Sequence, residues 1–289
     1  MRKTEGTFQT TDGLRLFERS WLPDGEPKGV LVIVHGYAEH SGRYDYVGSW
    51  LARRGYAVHA LDLRGHGRSE GDRVFVRSFN EYLDDVDAFL ALVRARHPGT
   101  TPWLLGHSMG GSIVALSAVT RRPDVHGLLF SGAALAATAG TPRLVTRIML
   151  LLGRFVPKLR VRKLAAATVS RDPEVVAWYD ADPLNFRGKM PAGLIASMIR
   201  AGRVIDERME TIDRPLLIMH GAEDALANPA GSETLYWRAA SADKTLKLYP
   251  GLYHEILNEP EKDEVLADIA GWLDARATAT SVTESSAAG

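Results

Sequence analysis

Short apolar runs recur along the chain, at residues 30–34, 57–61, 103–105, 128–130, 216–219 and 246–249, with amphipathic segments between them. Strands buried on both faces of a sheet read as continuous apolar runs because neither face meets water, and helical crossovers separate them. The pattern predicts an α/β protein with a mostly parallel central sheet flanked by helices. Ahead of these runs, residues 6–10 and 14–21 flank Thr11-Asp12-Gly13, a hairpin signal for an antiparallel edge. The alternation breaks between about Ala133 and Asp213, where helical patterns and prolines follow one another without a convincing strand. This segment, 133–213, is expected to be an inserted helical cap on a core formed by 1–132 and 214–277. The Ala-, Ser- and Thr-rich stretch 278–289 lacks apolar residues to offset the entropy of ordering and is expected to be a flexible tail.

Composition narrows the chemistry. The 289 residues carry 35 basic and 35 acidic side chains, so there is no broad basic surface of the kind that nucleic-acid binding needs. The absence of cysteine excludes disulfides, thiolate zinc sites, iron–sulfur clusters and a thiol nucleophile. The opening MRKTEGTFQTTDG has no apolar run, which argues against a secretory signal and for a cytoplasmic protein. Residues 144–156 are strongly apolar but interrupted by Arg147 and Arg154, and too short to span a bilayer. From Ser131 to Arg171 there are eight Lys and Arg and no acid, a local surface property that the neutral total conceals.

Residues 103–111, WLLGHSMGG, run from an apolar strand directly into the helical pattern of 112–119, with Ser108 at the junction. Gly-x-Ser-x-Gly in this setting is a nucleophile elbow: the backbone at the serine is strained, and Gly106 and Gly110 let neighbouring chain pass close. A serine hydroxyl needs a base, and the base an orienting carboxylate, in the chain order Ser, acid, His. His126, His220 and His254 follow Ser108. His126 precedes the cap and His220 precedes the candidate acids, which leaves His254 in the loop after the last strand. A zinc helix is ruled out there because Asn258 stands where H-E-x-x-H needs its second histidine. Glu223 and Asp224 both follow the run at 216–219. Asp224 is preferred, since a short carboxylate closing a tight turn is readily held rigid, although an Asx turn or helix cap would use the same residue.

Oxyanion donors are expected from the backbone N–H groups of Met109 and of Tyr37, in the loop after residues 30–34. Residues 63–69, LRGHGRS, could be mistaken for a dinucleotide loop, but Glu70 replaces the third glycine of G-x-G-x-x-G. A structural turn beneath the site is expected instead, and no cofactor or metal is assigned.

The motifs HGYAEHSGRY, LDLRGHGRSEG, LGHSMGG, SRDPEVV, HGAEDALANPAGS and YPGLYHEILNEP resemble those of the monoacylglycerol lipases of the α/β-hydrolase superfamily, particularly the bacterial and mycobacterial-type members. The resemblance runs over about residues 18–273, and HG-x-x-EH-x-x-RY with YPGLYHE is its most specific part. It implies Ser108 as nucleophile, Asp224 as orienting acid, His254 as base, and Tyr37 and Met109 as the oxyanion hole. Ala38 departs from it, because relatives usually carry a second glycine there. It further implies that Glu39, Arg43 and Tyr179 lie near the alcohol-binding end, against the alternative of a surface Glu–Arg pair. The cap would cover an acyl tunnel and dock on lipid surfaces, so that the protein is peripherally membrane-associated.

The implied activity is cleavage of monoacylglycerols to glycerol and free fatty acid through an acyl-enzyme. Carboxylesterase and lysophospholipase activities use the same triad. A non-enzymatic scaffold would be expected to lose a triad member, whereas dehalogenases and epoxide hydrolases need an aspartate where Ser108 stands. The cap segment 143–163 combines nine large apolar residues between Leu144 and Val156 with seven Lys and Arg and no acid. Lipid contact is expected of it, with burial against the core or in a homodimer contact as the competing readings.

Overall fold

The computed structural model describes residues 1–135, 142–163 and 165–287. Positions 136–141 and 164 of the expected cap, and the last two of the expected tail, lie outside it. The chain opens with β1 (Arg2–Gln9) and β2 (Arg15–Leu22), paired antiparallel across the expected hairpin. Then follow β3 (Gly29–Val34), α1 (Asp45–Ala52), β4 (Tyr56–Leu61), α2 (Phe79–Arg96), β5 (Trp103–His107), α3 (Met109–Thr120) and β6 (Leu128–Ser131). Between β6 and the next strand of the sheet lie α4 (Arg143–Phe155), β7 (Arg160–Lys163), α5 (Pro173–Ala181), β8 (Lys189–Pro191) and α6 (Ala192–Arg208). The core resumes with β9 (Leu216–Gly221), α7 (Ala230–Arg238), β10 (Lys244–Tyr249) and α8 (Lys262–Ala287). Helix α8 continues through much of the stretch expected to be a flexible tail.

Among the described residues the main sheet has eight strands in the order β1-β2-β4-β3-β5-β6-β9-β10. The pairs from β4 through β10 are parallel, and β2 joins β4 antiparallel. Successive side chains of a strand point to opposite faces, so Val30, Val32 and Val34 enter one buried cluster while Leu31 and Ile33 enter the other. The first cluster lies under α2, α3 and α6, and the second under α1 and α8. Local signals set the helix starts. Ser78 and Glu81 form a reciprocal capping box on α2, and Asp172 caps α5 with Pro173 in its first turn.

The register aligns the strands' C-terminal ends, with Val34 opposite Gly106, His107 opposite Ser131, and Ser131 opposite Met219. Loops leaving β3, β5 and β9 therefore converge on one edge, where ligands bind in open α/β sheets.

One expectation is corrected. The insertion is not purely helical, because β7 and β8 form a two-stranded antiparallel sheet. Its segment Arg160–Lys163 is charged and mostly exposed, so no apolar run announces it, and backbone pairing alone defines it. The turn at 63–69 forms as expected. Gly67 has φ +49°, and a Cβ there would lie 2.0 Å from Asp62 Oδ2. The same carboxylate accepts from Ser41 N and Arg68 N, joining this turn to the loop after β3.

Several buried imidazoles are held neutral by the core. His59 on β4 contacts Ser20 Oγ on β2 at 2.8 Å and His97 Nε2 at 2.9 Å. Burial, with His97 and Arg96 nearby, pushes its pKa down to about 3, and burial also lowers His35, His66 and His107. Between about pH 6.5 and 3 the unfolded chain binds the His59 proton and the folded chain does not, so stability falls as pH falls through this window. Urea unfolding should show a loss on the order of 1 kcal/mol per pH unit from His59 alone. In His59→Gln the acid slope should be shallower, and an identical slope in both proteins would place the titration elsewhere.

Candidate active site

At the junction of β5 and α3, Ser108 has φ +52° and ψ −117°, a region costing about 1–3 kcal/mol for a residue with a side chain. The surroundings over-determine it. Ser108 N donates to Ser131 O at 3.0 Å, continuing the β5–β6 ladder, and Ser108 O accepts from Ser112 N at 3.2 Å in the first turn of α3. A Cβ on Gly110 would lie 2.1 Å from the Val34 carbonyl oxygen, and one on Gly106 2.5 Å from the Gly110 carbonyl oxygen. Only glycine at both positions lets strand and helix meet so closely.

The loops after β9 and β10 are bonded to each other, Ala222 N to Tyr249 O at 2.9 Å and Glu223 N to Leu252 O at 3.0 Å. This pairing brings His254 between Ser108 and Asp224. Ser108 Oγ lies 2.8 Å from His254 Nε2, and His254 Nδ1 lies 2.6 Å from Asp224 Oδ2. Asp224 is buried while Glu223 is exposed. The other oxygen of Asp224 accepts from Leu226 N at 2.7 Å and Ala227 N at 2.9 Å, so the Asx turn and the histidine contact coexist on one carboxylate. Burial would raise its pKa, but hydrogen bonds from His220 and His254 hold it well below the usual carboxylate range. A serine whose proton can pass to an imidazole fixed by an ionised carboxylate is equipped for nucleophilic acyl transfer.

Tyr37 and Met109 line the same cavity as Ser108 and His254. Ala38 adopts φ +66°, the left-handed conformation that a glycine would take freely, at a cost of roughly 1–2 kcal/mol for a residue with a side chain. Its carbonyl accepts from Phe186 N of the insertion at 2.9 Å, which ties the loop after β3 to the cap. The cavity encloses about 390 Å³ and is walled mainly by apolar side chains of the insertion, including Val145, Met149, Met190, Ile195 and Met198. Ser108, His254 and Tyr37 also border a second cavity of about 30 Å³, lined further by Glu39, His107, Tyr179 and Glu255.

The Glu39–Arg43 pair is not at the surface. Both side chains are almost fully buried, and Arg43 Nη1 is 3.4 Å from Glu39 Oε2. Its main partner is Glu255, gripped through both terminal nitrogens, with Nη2 at 2.7 Å from Oε2. Burial opposes the charge on Glu255, but Arg43 lowers its pKa below the usual range. Glu39 also accepts from Gly36 N and from Tyr44 OH at 2.9 Å. The guanidinium stacks 4.9 Å from the centre of the Tyr179 ring. Arg43 thus braces the walls of the small cavity from behind, while Glu39 and Tyr179 line it. The hydroxyls of Tyr37 and Tyr179 are buried with no hydrogen-bond partner.

Two residues escaped the sequence reasoning. In the sequence Glu255 stands out only as the glutamate of an incomplete H-E-x-x-H pattern, and its pairing with Arg43, 212 positions away, has no local signal. His220 was set aside as a base, yet its Nε2 lies 3.0 Å from Asp224 Oδ2. A polar residue closing an apolar strand four positions before the acid was the available clue. Among the described residues no group of three His, Asp or Glu side chains is placed to hold a metal ion.

Residues 25–261 match the sequence family described as serine aminopeptidase, S33. The chain is 42% identical over 271 residues to a monoacylglycerol lipase of Mycolicibacterium smegmatis, covering 94% of this chain and 97% of that one. It is 34% identical to a monoglyceride lipase of Rattus norvegicus, over 92% of this chain and 88% of that one. The crystal structure of a Paleococcus ferrophilus monoacylglycerol lipase superimposes with a TM-score of 0.80 at 31% identity, over 96% of this chain and all of that one.

The contrast between the two neighbouring acids is directly testable. Asp224→Asn should slow labelling of Ser108 by a fluorophosphonate by about 10³–10⁴-fold, since the amide no longer fixes the histidine tautomer. Glu223→Gln should label at the wild-type rate, and the reverse ranking would move the orienting role to Glu223.

Proposed function

Because this chain belongs to the monoacylglycerol lipase family of the α/β-hydrolase superfamily, we propose that it hydrolyses monoacylglycerols to glycerol and free fatty acid. The reading is carried by two unlike cavities meeting at Ser108 and His254, a large apolar one and a small polar one. They suit an ester with a long acyl chain on one side and a small hydroxylated alcohol on the other. Ser108 Oγ attacks the carbonyl carbon as His254 Nε2 takes its proton, and the Tyr37 and Met109 amides receive the oxyanion. Collapse expels glycerol, whose oxygen takes the proton back from His254. Water then attacks the acyl-enzyme, giving its proton to His254, and Ser108 is restored as the fatty acid leaves. Glu39 and the unpartnered hydroxyl of Tyr179 supply the contacts to the alcohol, with Arg43 holding Glu255 and the Tyr179 ring in place. Lysophospholipid hydrolysis is the weaker reading, since the small cavity is lined by the carboxylates of Glu39 and Glu255 and by no Lys or Arg that could receive a phosphate headgroup.

The cap supports lipid docking. Leu144, Ile148, Leu151 and Phe155 recur at helical spacing on α4 and are 68%, 42%, 55% and 72% exposed. Arg143, Arg147 and Arg154 on the same helix are exposed too. An exposed apolar stripe beside cations inserts shallowly into anionic lipid. No helix among the described residues is long and apolar enough to cross a membrane.

Ser108→Ala should reduce monoacylglycerol turnover by at least about 10³-fold while the protein stays folded. Tyr179→Phe removes a hydroxyl that bonds to nothing in the fold, so its melting temperature should hold. Its kcat/KM should fall about tenfold on monoacylglycerol and little on a nitrophenyl ester. Equal losses on the two substrates would remove Tyr179 from alcohol recognition.

Flotation with vesicles containing anionic lipid should recover the protein at low salt and less of it as salt rises. Leu151→Ser with Phe155→Ser should abolish flotation yet spare turnover of a soluble short-chain ester. Wild-type protein that ignores the vesicles would refute the docking.

A further inference from the structure

Asp224 is approached by two histidines, and only one of them touches Ser108. His254 Nδ1 and His220 Nε2 lie 2.6 Å and 3.0 Å from the same oxygen, Oδ2, while two backbone amides occupy Oδ1. His220 is the penultimate residue of β9 and is fully buried. Its Nε2 is also 2.9 Å from the Ala227 carbonyl oxygen. A carboxylate and a carbonyl can only accept, so Nε2 carries a proton in whatever charge state the ring adopts. On the far side of the ring, Nδ1 meets the hydroxyl of Ser232 at 2.7 Å, in the first turn of α7 and equally buried. A continuous hydrogen-bonded chain therefore runs Ser232–His220–Asp224–His254–Ser108.

We propose that His220 is a positioning residue of the hydrolytic site: its Nε2–H orients the Asp224 carboxylate and shares Oδ2 with His254, while Ser232 locks its tautomer. The proposal rests on the reading of Ser108, His254 and Asp224 as the reacting triad. Two donors on one oxygen divide its negative charge, so each is held less strongly than it would be alone. His220 thus prevents Asp224 from over-stabilising the His254 imidazolium, which must release its proton to the leaving alcohol. The flipped tautomer would turn a lone pair toward two acceptors, and a donor hydroxyl on Nδ1 favours the productive one. The other groups around this chain act differently. His107 of β5 faces the His254 ring at 4.9 Å between centroids and bonds to Ser131, Glu255 is engaged by Arg43, and Glu223 is exposed.

The test is the pH profile of kcat/KM on a soluble nitrophenyl ester, from about pH 5 to about pH 9, for the full chain and three variants. His220→Leu should lower the plateau about tenfold and move the acid limb to higher pH by about half a unit, as Oδ2 binds the His254 proton more tightly. His220→Gln, whose side-chain amide can donate to the same oxygen, should recover the wild-type limb and come within about threefold of its plateau. A purely structural role would depress activity without moving the limb. An unmoved limb in His220→Leu, a shift to lower pH, or a Gln variant no better than Leu would each overturn the proposal. If His220→Leu fails to fold, Ser232→Ala decides. It should melt near the wild type with a smaller shift in the same direction, and an unmoved limb there refutes the role. Wild-type protein with neither ester turnover nor fluorophosphonate labelling would instead defeat the triad reading itself.

Discussion

Strand β5 must end and helix α3 begin within one residue, which forces Ser108 to φ +52° and makes every neighbour answer to that turn. The strain persists because the β5–β6 ladder grips one side of the serine backbone and the first turn of α3 the other. Gly106 and Gly110 are demanded by the same closeness, since a side chain at either would collide with backbone oxygen. The hydroxyl is thereby raised above the sheet's edge, where the loops after β9 and β10 deliver the acid and the histidine.

Carboxylates around this turn serve two functions at once. Asp224 closes its own turn with one oxygen and meets two histidines with the other. Glu39 accepts from Gly36 N while bordering the polar cavity, and Asp62 joins the loop after β3 to the turn at 63–69. A buried carboxylate left partly unsatisfied would be costly. Using backbone amides as donors meets that cost and fixes the loops, so local folding and the electrostatics of the site are one arrangement.

The cap combines a tethered side with an exposed one. Phe186 bonds to Ala38, and His40 to Asp182 at 2.8 Å, which anchors the insertion beside the loop after β3. Helix α4 walls the apolar cavity with Val145, Thr146 and Met149 while turning Leu144, Leu151 and Phe155 outward. One helix therefore both walls the cavity beside Ser108 and turns an apolar stripe to solvent.

The sequence by itself determined what depends on short range. Continuous apolar runs specify buried parallel strands, Thr11-Asp12-Gly13 specifies the hairpin, and Gly-x-Ser-x-Gly between a strand and a helix specifies the elbow, because each is written in neighbouring residues. Chain order and loop location single out His254, and the preference for Asp224 over Glu223 rests on turn geometry that is also local; the structure brings both side chains into the hydrogen-bonded row with Ser108. Tertiary structure alone decided the pairing of Arg43 with Glu255, 212 positions away, rather than chiefly with Glu39, and the turn after β9 that folds Asp224 back onto His220 as a second donor. It also decided the strand pair β7–β8, whose charged residues carry no burial pattern, and the outward aim of the α4 stripe. Apolar residues at helical spacing define a face, but whether that face meets core or solvent depends on where the rest of the chain has packed.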